Sequence, residues 1–338
     1  MKKRTLLTIV QYLVFLGLGI FIIYRMFSQM SAEDKADMMA SIQQTKLWML
    51  VPVFIAGFFS HFFRSLRWKL LLKPVHIHPT TTNTTLAVLI GYIVNLLLPR
   101  MGEVAKCTVL ARYEHVPADK MVGTIVAERA FDVICLVLVT VLAFTLQADV
   151  IGSYASSMFG KLAAKQAVFI GVLSAIAFII LFLVFLYRRN KESKVARFIL
   201  GMKDGVASIW QMKDRTLFMV YTIAIWALYL LQVYLGFQAM PATEHLTVMA
   251  ALVVLIFGSI GMIVTPGGLG AYPALIGEIL VFYALSAPDG KAFGWVSWLA
   301  QTGIVIILGL IALIVLPIYN RKNNHHGQDR VDTKQDHH

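Results

Sequence analysis

The chain has 338 residues, 58% of them apolar and 14% charged, with a mean hydropathy of +0.73 and a formal net charge of +12. A soluble domain of this size has no core large enough to hide that much apolar surface, so the composition excludes the soluble class. The positive charge does not point to nucleic acid, because the basic residues stand in short clusters beside apolar runs, where positive-inside placement accounts for them. Cys107 and Cys135, the two cysteines, lie in or near apolar stretches and give neither a disulfide framework nor a thiolate metal site.

A spanning helix needs about 20 apolar residues, and the chain divides on that scale into eight or nine hydrophobic segments. Lys2, Lys3 and Arg4 open it, and about residues 5–27 form a first span that lacks a small-residue cleavage site and reads as retained. The following loop, with Glu33, Asp34 and Asp37 against Lys35, suits the outer side. A second span over about 46–63 ends in Arg64, Arg67, Trp68 and Lys69, a basic and aromatic boundary suited to the cytoplasmic side.

The next apolar stretch, about 84–98, is short for a crossing and is broken by Pro99, Arg100, Gly102 and Glu103. If it crossed, the most basic loop of the protein would fall outside. A re-entrant segment over 84–113, entering from the cytoplasm and returning, restores the charge rule for every later loop. The span 122–146 then runs outward, 147–165 is an outer loop, and 166–187 returns. The segment 188–215 carries Arg188, Arg189, Lys191, Lys194, Arg197, Lys203, Lys213 and Arg215 against Glu192, Asp204 and Asp214, which places it in the cytoplasm. Its apolar residues recur at helical spacing, reading as a surface-lying helix or a soluble helix pair.

After a span at 216–237, the stretch 247–287 is interrupted by Pro266, Gly267, Gly268 and Gly270. It makes two crossings or a second re-entrant pair. The last span, about 295–318, leads to a polar tail, 320–338, that reads as disordered and cytoplasmic. The fold expectation is an all-α polytopic membrane protein. It has about eight transmembrane helices in a single domain, 1–319, including two Pro/Gly-broken segments related as an inverted repeat.

Broken segments entering from opposite sides mark an inverted-repeat transporter with its site at the midplane, because unwound backbone must line a polar cavity rather than face lipid. The competing reading of the second break is a tight turn between complete helices. Intramembrane charge adds to the first reading. Arg100 and Glu103 flank Gly102, and Glu128, Arg129 and Asp132 share nearly one helix face. Each charge costs about 2.5–3.5 kcal/mol at a helix centre on insertion scales and needs a partner or a polar space. Such a face forms either an internal ion-pair network or a site whose arginines fork onto phosphate or carboxylate oxygens. Arg64 and Arg67 read equally as anchors or site residues. Glu278, on the helix leaving the second break, either approaches the first-half charges or sits near the membrane surface.

The pieces Arg64 to Trp68, Pro99 to Glu103, Glu128 to Asp132, and Pro266 to Gly270 together resemble the flippase-like membrane region of the lysylphosphatidylglycerol synthase family, the UPF0104 group. The resemblance covers about residues 5–318. It implies a bundle of about eight helices with paired re-entrant elements, proposed to move lipids or lipid-linked headgroups between leaflets. Members that attach lysine to phosphatidylglycerol carry a further soluble aminoacyltransferase domain, so lysyltransferase activity is not expected here. Members often place an Arg-Glu pair just after the second break, where this chain has Tyr272 and Pro273.

The functional expectation is therefore a translocase of the bacterial inner membrane for an anionic phospholipid or lipid-linked headgroup, with no cofactor and no catalytic or metal residues. Arg100 and Arg129 would bind the phosphate, and Glu103, Glu128 and Asp132 would orient them or carry protons. The alternatives are a membrane enzyme modifying a lipid-linked group, for which no nucleophile or phosphate-loop motif is present, and a secondary transporter of a small anion.

Overall fold

The computed structural model describes residues 3–98, 101–159, 209–210 and 212–335. Within them the chain is helical throughout and has no strand. Its helices are α1 (Lys3–Ser28), α2 (Ala32–Gln43), α3 (Leu50–Leu72), α4 (Thr81–Leu97), α5 (Gly102–Glu114), α6 (Ala118–Leu146), α7 (Ala148–Phe159), α8 (Arg215–Ala239), α9 (Val248–Val264), α10 (Ala271–Val281) and α11 (Ala287–Gln335). Among the described residues four stretches are long and apolar enough to cross a membrane: Leu47–Val75, Ala118–Leu146, Arg215–Ala239 and Ala287–Arg321. They leave Ile223, Leu138, Leu310 and Ile314 exposed, surface that suits acyl chains and not water. The expected span at 166–187 and most of the basic segment 188–215 lie outside the described residues.

The boundaries follow local chemistry. Ser31 caps α2 reciprocally: its hydroxyl accepts from the Asp34 N–H at 3.0 Å, and its own N–H donates to the Asp34 carboxylate at 3.1 Å. Both breaks begin with an extended residue just before a proline, as the proline ring requires of its predecessor. These are Leu98 (φ −132°, ψ 94°) and Thr265 (φ −127°, ψ 156°). After the first break α5 returns along α4. Gly91 and Gly102 bring the two backbones so close that a Cβ on Gly102 would overlap the Gly91 carbonyl oxygen. The second break is a single 3-10 turn, Pro266–Gly268, after which α10 returns along α9.

Three boundaries differ from the sequence reading. Helix α3 does not stop near 63 but continues to Leu72, so Arg64, Arg67 and Trp68 are interior residues of a helix and not a membrane-surface boundary. Charge alone marked an end there; partners on α5, α6 and α8 remove the need for water. The expected outer loop at 147–165 contains α7. The last helix begins at Ala287 and continues through Gln335, beyond the expected span end at 318. Asn320 ties this region to the start of α4, exchanging amide hydrogen bonds with Asn83 at 2.8 and 3.0 Å.

Helix α3 packs lengthwise on α8, α10 on α11, and α11 against α4. One apolar core gathers α8, α9, α10 and α11 around Phe237, Val254, Ile276 and Phe293. A second joins α3, α5, α6 and α8 around Trp68, Leu110, Met121 and Phe218. The charged residues of α3, α5 and α6 meet beside this second core.

Candidate functional site

Arg64 and Arg67 project from α3, Glu103 and Lys106 from α5, and Glu128, Arg129 and Asp132 from α6. Their spacings are what a helix needs to present them together, since residues three and four apart share a face. Glu128 has no exposed side-chain surface, and its Oε2 accepts from Lys106 Nζ at 2.8 Å. Its Oε1 lies 3.4 Å from Arg64 Nη1 and 3.5 Å from Arg67 Nη2. Asp132 takes the stronger share of both arginines, accepting from Arg67 Nη2 at 2.6 Å and from Arg64 Nη1 at 3.0 Å.

Neutral groups complete the guanidinium shells. Arg64 donates to the Tyr229 hydroxyl at 3.1 Å, and Arg67 to the Thr222 hydroxyl at 3.4 Å with the Phe218 ring 5.6 Å away. Lys106 sits 4.6 Å from the Trp68 ring centroid, and the Trp68 indole N–H donates to Thr124 at 3.0 Å. Desolvating each ion costs several kcal/mol, so this arrangement survives only because nearly every charge has several partners. Among the described residues the cluster holds four cations and three acids, an excess of one positive charge.

Arg129 differs from the others. Its side chain is 46% exposed, it pairs with Glu103, and it lies 3.8 Å from Asp132. It opens, with Arg64, onto a cavity of about 400 Å³. Ser60, His61, Tyr92, Tyr229 and Gln232 line this space. Ser259, Gly267, Tyr272, Gln301 and Thr302 line it as well. Gly267, with φ +62°, adopts a left-handed backbone that favours glycine, and its carbonyl accepts from the Trp298 indole at 2.8 Å. A Cβ there would stand 3.0 Å from Leu96 on α4, so the second break abuts the end of the first broken helix.

Residues 9–309 match the family described as the lysylphosphatidylglycerol synthase TM region, a stretch that includes every residue of the cluster and of the cavity wall. The chain belongs to that family. It is similar as well to a UPF0104 membrane protein from Methanothermobacter thermautotrophicus, 25% identical over 241 residues, which are 65% of this chain and 70% of the relative. No solved structure matches the chain.

In this lysylphosphatidylglycerol synthase TM-region protein, Arg64, Arg67, Glu103, Glu128, Arg129 and Asp132 come together. Arg100, singled out from sequence, lies outside the described residues. Of the second-break residues, Gly267 reaches the cavity. Pro266 opens the 3-10 turn, Gly268 is buried between Met262 and Tyr272, and Gly270 packs on the backbone of Gly19 in α1. Glu278 does not join the cluster: it is exposed on α10 and accepts from the Tyr154 hydroxyl at 3.5 Å. Sequence reasoning did not single out Lys106, His61, Tyr229 or Gln301. Lys106 had a signal, standing three residues after Glu103 on one helix; the others sit in apolar stretches with no pattern to mark them.

Proposed function

We propose that the protein is a lipid translocase of the cytoplasmic (inner) membrane that binds a phosphate-bearing headgroup in the Arg64 and Arg129 cavity while the acyl chains stay in lipid. The observation that carries this reading is the joint lining of one cavity by the charged face of the first half and by Gly267 and Tyr272 of the second break. A cationic pole lowers the cost of bringing a phosphate out of water, and a guanidinium forks onto two phosphate oxygens at once. Asp132 and Glu103 would keep the two guanidiniums aimed, and Glu128 would neutralise the buried ions behind them. Two broken segments meeting at such a site is the arrangement of alternating-access carriers, in which one repeat rocks against the other. On this reading 84–113 and 247–287 are the inverted pair within one domain, 1–319. Both termini, the tail from 320 and the basic loops then face the cytoplasm.

The test is mass spectrometry of lipids that copurify with wild-type protein and with Arg129→Gln, set against the bulk lipids of the same membranes. Enrichment of one phosphate lipid, lost in the variant, supports the reading, and transport of that lipid in vesicles completes it. Bulk lipid in both preparations, together with displaceable binding of a tailless anion, would move the assignment to a small-anion carrier.

A further inference from the structure

Glu103 stands between Lys106 and Arg129. It lies in the first turn of α5, where its Oε1 pairs with Arg129 Nη2 and its Oε2 is 3.0 Å from Lys106 Nζ. The second contact is an ion pair without the alignment of a hydrogen bond among the described residues, so Oε2 keeps bonding capacity in reserve. Lys106 itself is anchored, donating to Glu128 at 2.8 Å with the Trp68 ring centroid 4.6 Å from its ammonium. Glu103 adjoins a side space of about 30 Å³, bounded also by Asn95, Gly102 and Lys106. This side space shares Arg64, Tyr92 and Arg129 with the wall of the central cavity. Arg129 thus meets a resident carboxylate in the side space while it also lines the cavity.

Resting on the headgroup reading above, we infer that Glu103 is an internal anion that occupies Arg129 in the empty protein and is displaced onto Lys106 when a phosphate oxyanion arrives. An arginine left bare within a membrane is costly, so a carboxylate already in place stabilises the empty cavity. The resident pair is the weaker one. Glu103 engages Arg129 through one oxygen and one guanidinium nitrogen, while Arg129 Nη1 lies a loose 3.8 Å from Asp132. A phosphate can take both Nη groups as a fork, which is stronger than a single contact. The displaced carboxylate is not left unpaired, because rotation of its side chain brings it fully onto Lys106, which it already approaches. The moving part is this side chain and not the helix. The start of α5 is fixed against α4, where a Cβ on Gly102 would stand 2.2 Å from the Gly91 carbonyl oxygen. Lys106 is therefore a positioning residue that acts through Glu103 and sets how readily Arg129 is released.

The test is native mass spectrometry of the full-length protein titrated with phosphatidylglycerol, used as a plain monoanionic phosphate lipid. Variants of the two α5 residues should move affinity in opposite directions. Glu103→Gln should tighten binding about fivefold by freeing Arg129, and Lys106→Gln should weaken it by a similar factor by leaving Glu103 on Arg129. A general change in the field of the site would give the same signs, so the deciding readout is the double variant. With Arg129→Gln present, Glu103→Gln should lose its effect, and with Glu103→Gln present, Lys106→Gln should lose its own. An effect that persists in either double variant, or a Glu103→Gln protein that binds no more tightly than wild type, overturns the inference. If Lys106→Gln melts below wild type, the Glu103 and Arg129 cycle carries the test alone. Arg129→Gln by itself separates the two failures. If it weakens binding while Glu103→Gln does not tighten it, only the displacement is wrong; if it changes nothing, the headgroup reading falls as well. Tighter binding of glycerol 3-phosphate by Glu103→Gln would support displacement by the oxyanion alone, and tightening confined to phosphatidylglycerol would support displacement by the whole lipid.

Discussion

The two broken segments share a backbone plan and differ in what holds them. In each, a 17-residue apolar helix ends at an extended pre-proline residue and a shorter helix returns along it. The first hairpin places Glu103 and Lys106 in an ion network that joins α3, α5 and α6. The second has no charged residue at its turn. It is held by close backbone packing, by the Trp298 bond to the Gly267 carbonyl, and by a Tyr272, Ser297 and Gln301 hydrogen-bond cluster. A buried charge is costly unless paired, so the first half tolerates charge by supplying counter-charge, while the turn of the second carries no charge and needs none. On the proposed reading, the charged half would grip a ligand and the neutral half would shape the space around it.

This contrast can be broken experimentally, and the largest effect is expected at Glu128. Glu128→Gln removes a carboxylate that touches Lys106, Arg64 and Arg67 together. It should destabilise the protein by about 3–5 kcal/mol, as loss of one partner of a buried ion pair does. A thermal melt in detergent checks this, and a melt unchanged from wild type would show that the three cations do not depend on it.

The matching change in the neutral half is Gly268→Ala. Gly268 has φ +74°, and a Cβ would lie 2.5 Å from the Met262 sulfur and 3.1 Å from Tyr272 Cβ. About 1–3 kcal/mol of strain is expected, read in the same melt, and it should be insensitive to salt because no charge is involved.

Arg129→Gln sharpens the comparison from the other side. Arg129 is half exposed, so its ion pairs contribute at most about 1 kcal/mol to the fold. Its loss should leave the melting temperature nearly unchanged while removing the lipid enrichment proposed above. A stable variant that keeps wild-type lipid would place binding elsewhere.

The smallest effect belongs to the capping box of α2, away from both hairpins. Hydrogen bonding by the Ser31 side chain, and then by its backbone N–H, holds the Asp34 carboxyl below its usual range. A depressed carboxyl contributes stability that is fully present above its unfolded value, about 4, and is lost as pH falls through the folded value. Amide exchange in α2 should therefore quicken below about pH 4 in the wild type. In Asp34→Asn it should show no such step.

Much of the fold was readable because lipid imposes length and polarity together. α1, α6 and α8 lie within a few residues of the spans expected from hydropathy, and both breaks stand where Pro and Gly interrupt an apolar run. The grouping of Glu128, Arg129 and Asp132 was legible for the same local reason, a helical spacing that puts them near one another. Helix α3 shows the opposite case. Its run of Arg64, Arg67, Trp68 and Lys69 has the composition of a membrane boundary, yet Arg67 and Trp68 are 0% exposed. Whether an arginine seeks water or a buried acid depends on partners 60 or more positions away in the chain, as in Arg64 with Asp132. No local pattern contains that distance.

The sequence by itself determined that the chain must satisfy its backbone in a membrane, where the two Pro/Gly breaks would fall, and which residues would burden hydrocarbon with charge. Each of these follows from short-range chemistry: apolar length, the proline ring and helical periodicity. Only the tertiary structure decided which charges became partners and that Glu278 stands apart. It also decided that the wall of the cavity carries two arginines and, among the described residues, no acid. Those outcomes depend on how α3, α5, α6 and α8 pack against one another, because a buried charge is stabilised by whatever the fold brings within a few ångströms and not by its neighbours in sequence.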